Sequence, residues 1–141
     1  INILNAQIKG KVIAVADGDT FTILDSMNLQ HKIRLYGIDC PEKGQDYYQK
    51  AKQATSNYIF GKTVALKIIN KDRYRRKVAI VYLLPDSAIL NVVLLQQGLA
   101  WHYKTYDKNP KWSQLEKQAR IQKKGLWIQP KPIAPWVFRN R

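Results

Sequence analysis

Three runs of strong β formers, residues 10–16, 20–24 and 31–36, succeed one another with only turn signals between them, Asp17-Gly18 and the stretch 26–28. Runs spaced so closely pair with their neighbours, which predicts a three-strand antiparallel meander. Residues 46–60 then place Tyr47, Ala51, Ala54 and Tyr58 on one helical stripe that Gly61 can close. Strands are expected at 62–69 and 78–84, the second ending at the turn Pro85-Asp86-Ser87 and resuming over 88–90. A short helix is expected from an Asn91 cap to Gly98. A third runs from Asn109-Pro110 to Gly125, with Trp112, Leu115 and Ala119 on one face. Pro130, Pro132 and Pro135 argue against more helix, so the tail carrying Trp127, Trp136 and Phe138 is expected to cross the body as an extended strap. This order predicts an α+β, mainly β protein, a five-stranded OB-fold barrel with three helices and a C-terminal strap, in one domain over residues 1–141. An OB fold by itself implies no chemistry.

At 141 residues the chain has the size of one domain, and no apolar run is long enough to span a membrane as a helix. Cys40 is the only cysteine, so an intramolecular disulfide is excluded. With two histidines beside it a Cys/His zinc cage is excluded too. A metal here must be held by oxygen.

The net charge of +14 favours a polyanionic partner. Residues 1–70 hold nine bases and six acids, while 71–141 hold fifteen bases and four acids. Four of the six early acids fall in two short segments, Asp17 with Asp19 and Asp39 with Glu42. Carboxylates repel phosphate unless a cation lies between them, so their clustering in a basic chain points to a cation site.

Three segments carry the candidate chemistry. Asp17-Gly18-Asp19-Thr20 is a tight turn in which Asp19, at the start of a strand, can aim a carboxylate at a cation, with Asp17 and Thr20 orienting a ligand or a metal-bound water. In Arg34-Leu-Tyr-Gly-Ile-Asp39-Cys40-Pro41-Glu42, the bend at Gly37 and the fixed dihedral of Pro41 can turn Arg34, Asp39 and Glu42 toward one space. The same spacing also suits a plain ion pair between Arg34 and Asp39. The third, residues 71–77, places five bases around Asp72 and Tyr74, as in a solvated loop whose surface tyrosine covers aliphatic stems or a phosphate-tracking loop with a stacking face.

Taken together, Asp17 to Thr20, Arg34 to Glu42, Asp72-Arg-Tyr-Arg-Arg76, Asn91 with Gln97 to Ala100, and Gly125-Leu-Trp127 resemble the staphylococcal (micrococcal) nuclease family over roughly residues 10–128. The resemblance implies a calcium-dependent OB-fold nuclease that cuts DNA and RNA to 3′-phosphate-ended products. Asp19, Asp39 and the carbonyl of Cys40 would bind calcium, Arg34 and Arg76 would hold the scissile phosphate, and Glu42 would be the base. Arg73, Tyr74, Tyr106 and Lys104 would contact substrate. Tyr74 and Tyr106 match family positions, whereas the companion tyrosine falls on Lys104, or on Tyr103 after a shift. Arg75 stands where the family pattern has glycine, and the loop after Glu42 is shorter.

The expected partners are DNA and RNA, single-stranded or locally melted stretches preferred, with no membrane and a monomeric protein. A first residue Ile1 with no leader is read as a secreted or periplasmic protein whose signal peptide has been removed, a cytosolic one being the alternative. Two rival functions are a non-catalytic single-stranded nucleic-acid-binding module and a polysaccharide hydrolase with two carboxylates, which leaves Arg34 and Arg76 without a role.

Overall fold

The computed structural model describes residues 8–141; the first seven residues of the expected domain lie outside the described residues. The meander is present as β1 (Ile8–Asp17), β2 (Thr20–Leu24) and β3 (Gln30–Leu35), followed by the short β4 (Ile38–Asp39) and helix α1 (Tyr48–Ile59). Then come β5 (Thr63–Lys71), β6 (Lys77–Leu83), β7 (Ala88–Ile89), α2 (Leu90–Gln96), β8 (Trp101–His102), α3 (Pro110–Ile121), a 3-10 turn (Gly125–Ile128) and α4 (Pro135–Arg139).

The sheet runs β3-β2-β1-β5-β6-β7, the two-residue β7 returning antiparallel on β6, and β3 also pairs with β6 in parallel, Ile33 opposite Lys77 and Leu35 opposite Ala79. That pairing closes the expected five-stranded barrel and removes the free edges an open sheet would present. Alternating residues fill it: Val12, Phe21, Ile23, Ile33, Leu35, Val64, Leu66, Ala79 and Val81 are all buried. None of the helices of the described residues is long and apolar enough to cross a membrane.

Four expectations need correction. The most buried face of α1 is Tyr48, Ala51, Thr55 and Ile59, one step round from the expected stripe, whose Tyr47, Ala54 and Tyr58 are half-buried against the same core; the Thr55 hydroxyl donates to the Gly18 carbonyl at 2.6 Å. Asn91 does not cap α2. It sits fully buried inside the helix, where its side chain accepts from Val81 N–H and donates to the Tyr36 and Ala79 carbonyls, stitching α2 to the barrel. Helix α3 does begin at the Asn109 cap, but it ends at Ile121, well before Gly125. Lys123 takes the left-handed closing position at φ 53° and Lys124 N–H returns to the Ala119 carbonyl, as in a Schellman ending.

The tail is not an extended strap. Pro135 opens α4 as its first helical residue, a position where the missing N–H has no intrahelical partner to lose, so the described residues hold four α-helices rather than three.

Candidate active site

The β1–β2 hairpin turns on Gly18 and Asp19, with Asp17 paired to Thr20. Gly18 sits in a tight space: a Cβ there would lie 3.0 Å from the Ala51 Cβ and 3.1 Å from the Cys40 Sγ. The turn is therefore packed on both α1 and the segment after β4. The Asp19 carbonyl accepts Leu35 N–H at 2.9 Å, its Oδ2 accepts Cys40 N–H at 2.8 Å, and Thr20 Oγ1 donates to its Oδ1 at 3.2 Å. Asp17 is engaged elsewhere. Its Oδ1 accepts the Tyr48 hydroxyl at 2.7 Å, which, with burial, pushes the phenol up to about 12.

Arg34 stands opposite Thr20 in the β2–β3 register, and so beside Asp19. Gly37, at φ +73° and with Trp112 where a Cβ would go, bends the chain so that the guanidinium folds over its own turn. Nη1 donates to the Leu35 and Ile38 carbonyls at 2.9 and 3.0 Å, and Nη2 to Asp39 Oδ1 at 3.2 Å. Nη1 also lies 3.4 Å from Asp19 Oδ2. The expected Arg34–Asp39 ion pair is thus present, and the same guanidinium also faces Asp19. Burial works against the Arg34 charge, but Asp19 and Asp39 outweigh it and leave its pKa raised. The Asp39 carboxyl is pushed up to about 6 by burial; Arg139 and Arg34 pull it down and Asp19 pushes it further up. Burial likewise pushes the Cys40 thiol well above its ordinary value, which makes a reactive thiolate a poor reading.

Glu42 lies on the loop after Pro41. Its N–H donates to Gln45 Oε1 at 2.8 Å, and Gln45 Nε2 donates to the Ile133 carbonyl, so the loop is moored to the segment before α4. Its carboxylate is one third exposed and pairs with Arg139. Arg139 also reaches both oxygens of Asp39, at 3.1 and 2.7 Å. The sequence does not single out this arginine, because an extended strap would not bring it to the acids. The signal that could have found it is Pro135 at a helix start, which places residues 136 and 139 one turn apart on one face.

Arg76 is not joined to this cluster by any hydrogen bond or ion pair among the described residues. Its Nε donates to Asp72 Oδ2 at 2.8 Å, and Asp72 Oδ1 accepts the N–H groups of Tyr74 and Arg76. Burial opposes the Asp72 charge, but these donors hold its carboxyl below the ordinary value. The β3–β6 pairing nonetheless puts Arg76 next to Lys77, itself opposite Ile33, within a residue or two of Arg34 along the barrel rim. Tyr74 is 62% exposed, with Arg73 and Arg76 over its ring. Arg75 adopts φ +65°, the left-handed conformation a glycine would take without strain.

Tyr106 is also exposed, and Tyr103 meets it edge-on at 4.8 Å. Tyr103 stacks at 8° on Trp136 of α4, and its hydroxyl lies 3.4 Å from Arg139 Nη2. Lys104 lines a groove with Lys108, Lys117 and Arg120. Of the two alternatives for the companion tyrosine, Tyr103 is the one beside the acidic cluster. Beneath this wall lies a buried network that sequence reading did not find. Tyr36 donates to Asp107 Oδ1, His102 Nε2 lies 2.7 Å from Asp107 Oδ2, and Ser113 Oγ lies 2.9 Å from His102 Nδ1. The His102 side chain is wholly buried, so these groups brace the Tyr103–Tyr106 loop.

Among the described residues no three His, Cys, Asp or Glu side chains gather into a metal cage. Asp19 and Asp39, both held on Arg34, offer a cation two carboxylates. That donor set fits a hard ion that keeps several waters, such as calcium, and does not fit zinc.

The chain matches the family model described as staphylococcal nuclease homologue over residues 32–129. It is 40% identical to an Escherichia coli protein described as an uncharacterized endonuclease, covering 99% of this chain and 90% of that protein. It is 38% identical to a Haemophilus influenzae protein of the same description, with 93% and 72% covered. A Shigella flexneri protein named micrococcal nuclease is 34% identical, with 96% and 82% covered. With the closed barrel and a family match over more than half its length, this chain belongs to the staphylococcal nuclease homologue family.

Proposed function

We propose that the protein is a calcium-dependent phosphodiesterase acting on DNA and RNA and leaving 3′-phosphate ends. The observation that carries this reading is the meeting of two buried carboxylates, Asp19 and Asp39, on the pinned guanidinium of Arg34, with the more exposed Glu42 at the mouth. A purely polyanion-binding module has no use for such acids in a +14 chain.

Asp19, Asp39 and the Cys40 carbonyl would hold the ion, which when bound supplies Lewis-acid polarisation of a phosphoryl oxygen. Arg34 is already desolvated and fixed by two carbonyls, so little reorganisation is needed for it to meet charge that develops on the phosphate. Arg76 would supply the second clamp after exchanging Asp72 for phosphate, and its planar fork suits two adjacent oxygens. Glu42 would accept the proton of the attacking water. The new P–O bond forms as the bond to the 5′ oxygen breaks, and that oxygen takes a proton from solvent, leaving a 3′-phosphate and a 5′-hydroxyl. Asp17 and Thr20 would steady the turn that carries Asp19.

Tyr74 and Tyr106 expose ring faces that only unstacked bases can cover, which favours single-stranded or locally melted substrate; Arg73 and Lys104 would track its phosphates. The test is release of acid-soluble nucleotides from DNA and RNA with calcium and with a chelator. Activity that survives exhaustive chelation overturns the metal reading. Binding without any release favours the non-catalytic module.

A further inference from the structure

Two arginines touch Asp39, and they differ in how free they are to leave. Arg34 is 13% exposed and is held by two backbone carbonyls as well as by the acids. Arg139 is 36% exposed, comes from the other end of the chain, and among the described residues donates only to the Asp39 and Glu42 carboxylates and to the Tyr103 hydroxyl. Helix α4 that carries it is seated by aromatic contacts: Trp136 stacks on Tyr103 at 5.0 Å and meets Trp101 edge-on at 5.5 Å. The Phe138 ring lies where a Cβ on Gly44 would touch it.

The Asp39 oxygens have finite capacity. A divalent cation needs their lone pairs at roughly 2.3–2.6 Å, and Arg139 already spans both, so the two positive groups exclude each other by contact and by repulsion. We propose that Arg139 is a built-in counter-cation that occupies the acidic pair Asp39 and Glu42 in the metal-free protein and competes with the divalent ion for it. The proposal rests on the reading of Asp39 as a calcium ligand. It makes α4 the element that opens when the site loads, and the coupling is reciprocal: calcium weakens the docking of Arg139 by the same factor by which Arg139 weakens calcium.

Calcium titration by calorimetry at pH 8 and low salt, without nucleotide, tests this on wild type, Arg139→Ala and Arg139→Lys. Arg141→Ala serves as control, since it removes the same charge just beyond the same helix end, and among the described residues Arg141 pairs with no carboxylate, its guanidinium lying over the Phe138 ring. Arg139→Ala should bind calcium about 5- to 150-fold more tightly. Arg139→Lys should fall between it and wild type, and Arg141→Ala should stay near wild type. In wild type, calcium should speed hydrogen exchange at Val137 and Phe138, whose N–H groups bond the Ala134 carbonyl in α4. If Arg139→Ala fails to fold, the lysine variant and the wild-type exchange experiment decide. Equal calcium affinity in wild type and Arg139→Ala, or an equal gain in Arg141→Ala, overturns the proposal while leaving the metal reading intact. If no protein in the series binds calcium, the metal reading falls and this inference falls with it.

Discussion

Asp19 accepts the backbone N–H of Cys40 at 2.8 Å, and this bond ties the first hairpin to the segment that carries Asp39 and Glu42. The same oxygen faces Arg34 at 3.4 Å, so one carboxylate serves both the architecture and the charge of the site. The two roles separate by substitution. Asp19→Ala should cost about 1–3 kcal/mol by stranding a buried N–H, whereas Asp19→Asn keeps an acceptor and should cost less. Both should lose calcium binding. Urea unfolding and calcium calorimetry on the pair check this, and equal stability losses would show that the Cys40 bond contributes little.

Glu42→Gln should lower turnover by about 10² to 10⁴, the usual worth of a general base, with nucleic-acid affinity changed only a few fold. Single-turnover rates and filter binding measure the two effects. An unaffected rate would leave Glu42 as a loop anchor through Gln45 and Arg139.

Arg34→Ala and Arg76→Ala should each lower turnover by orders of magnitude with little dependence on salt, because each removes bonds that strengthen as charge builds on the phosphate. Lys71, Arg73 and Lys77 should instead act on affinity, each removal reducing the slope of log affinity against log salt by up to about 0.7 for a single strand. Turnover and affinity at two salt concentrations separate the sets. If Arg76→Ala weakens binding with turnover intact, its pairing with Asp72 is its whole role.

The pH dependence of stability in the metal-free protein reports on Asp39. Its carboxyl is raised from 3.8 to about 6, chiefly by burial, so the folded state holds a proton that the unfolded chain has released. The stability this contributes is fully present below about pH 4 and is lost as pH rises through 6, to the extent of about 3 kcal/mol. Asp39→Asn removes that loss, so the variant should gain on wild type between pH 4 and 7. Chelated samples unfolded in urea across this range provide the measurement. A variant that instead loses ground would show that Arg34 and Arg139 outweigh burial.

Arg75→Gly should stabilise the protein by up to about 1 kcal/mol, since Arg75 holds φ +65° against its Cβ. The gain is limited by the extra freedom glycine has when unfolded. The urea midpoint should rise with turnover unchanged, and a fall in turnover would mean that the Arg75 side chain helps aim Arg76.

Much of this protein is local in origin and could be read along the chain. The alternation of residues 10–36 sets the meander because a strand buries every second residue. Asp17-Gly18-Asp19 sets the hairpin, and Asn109-Pro110 starts α3, because turns and caps are decided by a few neighbouring dihedrals. Asp19, Arg34, Asp39 and Glu42 stood out for their charge and spacing. Other features were beyond the reach of local pattern. Asn91 looks like a cap and is a buried bolt between α2 and the barrel, since only the folded chain brings Val81, Ala79 and Tyr36 to its amide. Arg76 shares a barrel rim with Arg34 only because β3 and β6 pair in parallel to close the sheet. The partner of Asp39 and Glu42 lies about a hundred residues away, on a helix that three prolines had seemed to forbid. Propensity and hydrophobic period act over a few residues, so the elements and the charged side chains available to the site are legible along the chain. Which charges meet follows from the closed barrel and the docked α4, because ion pairs depend on distance in space and not on distance along the chain.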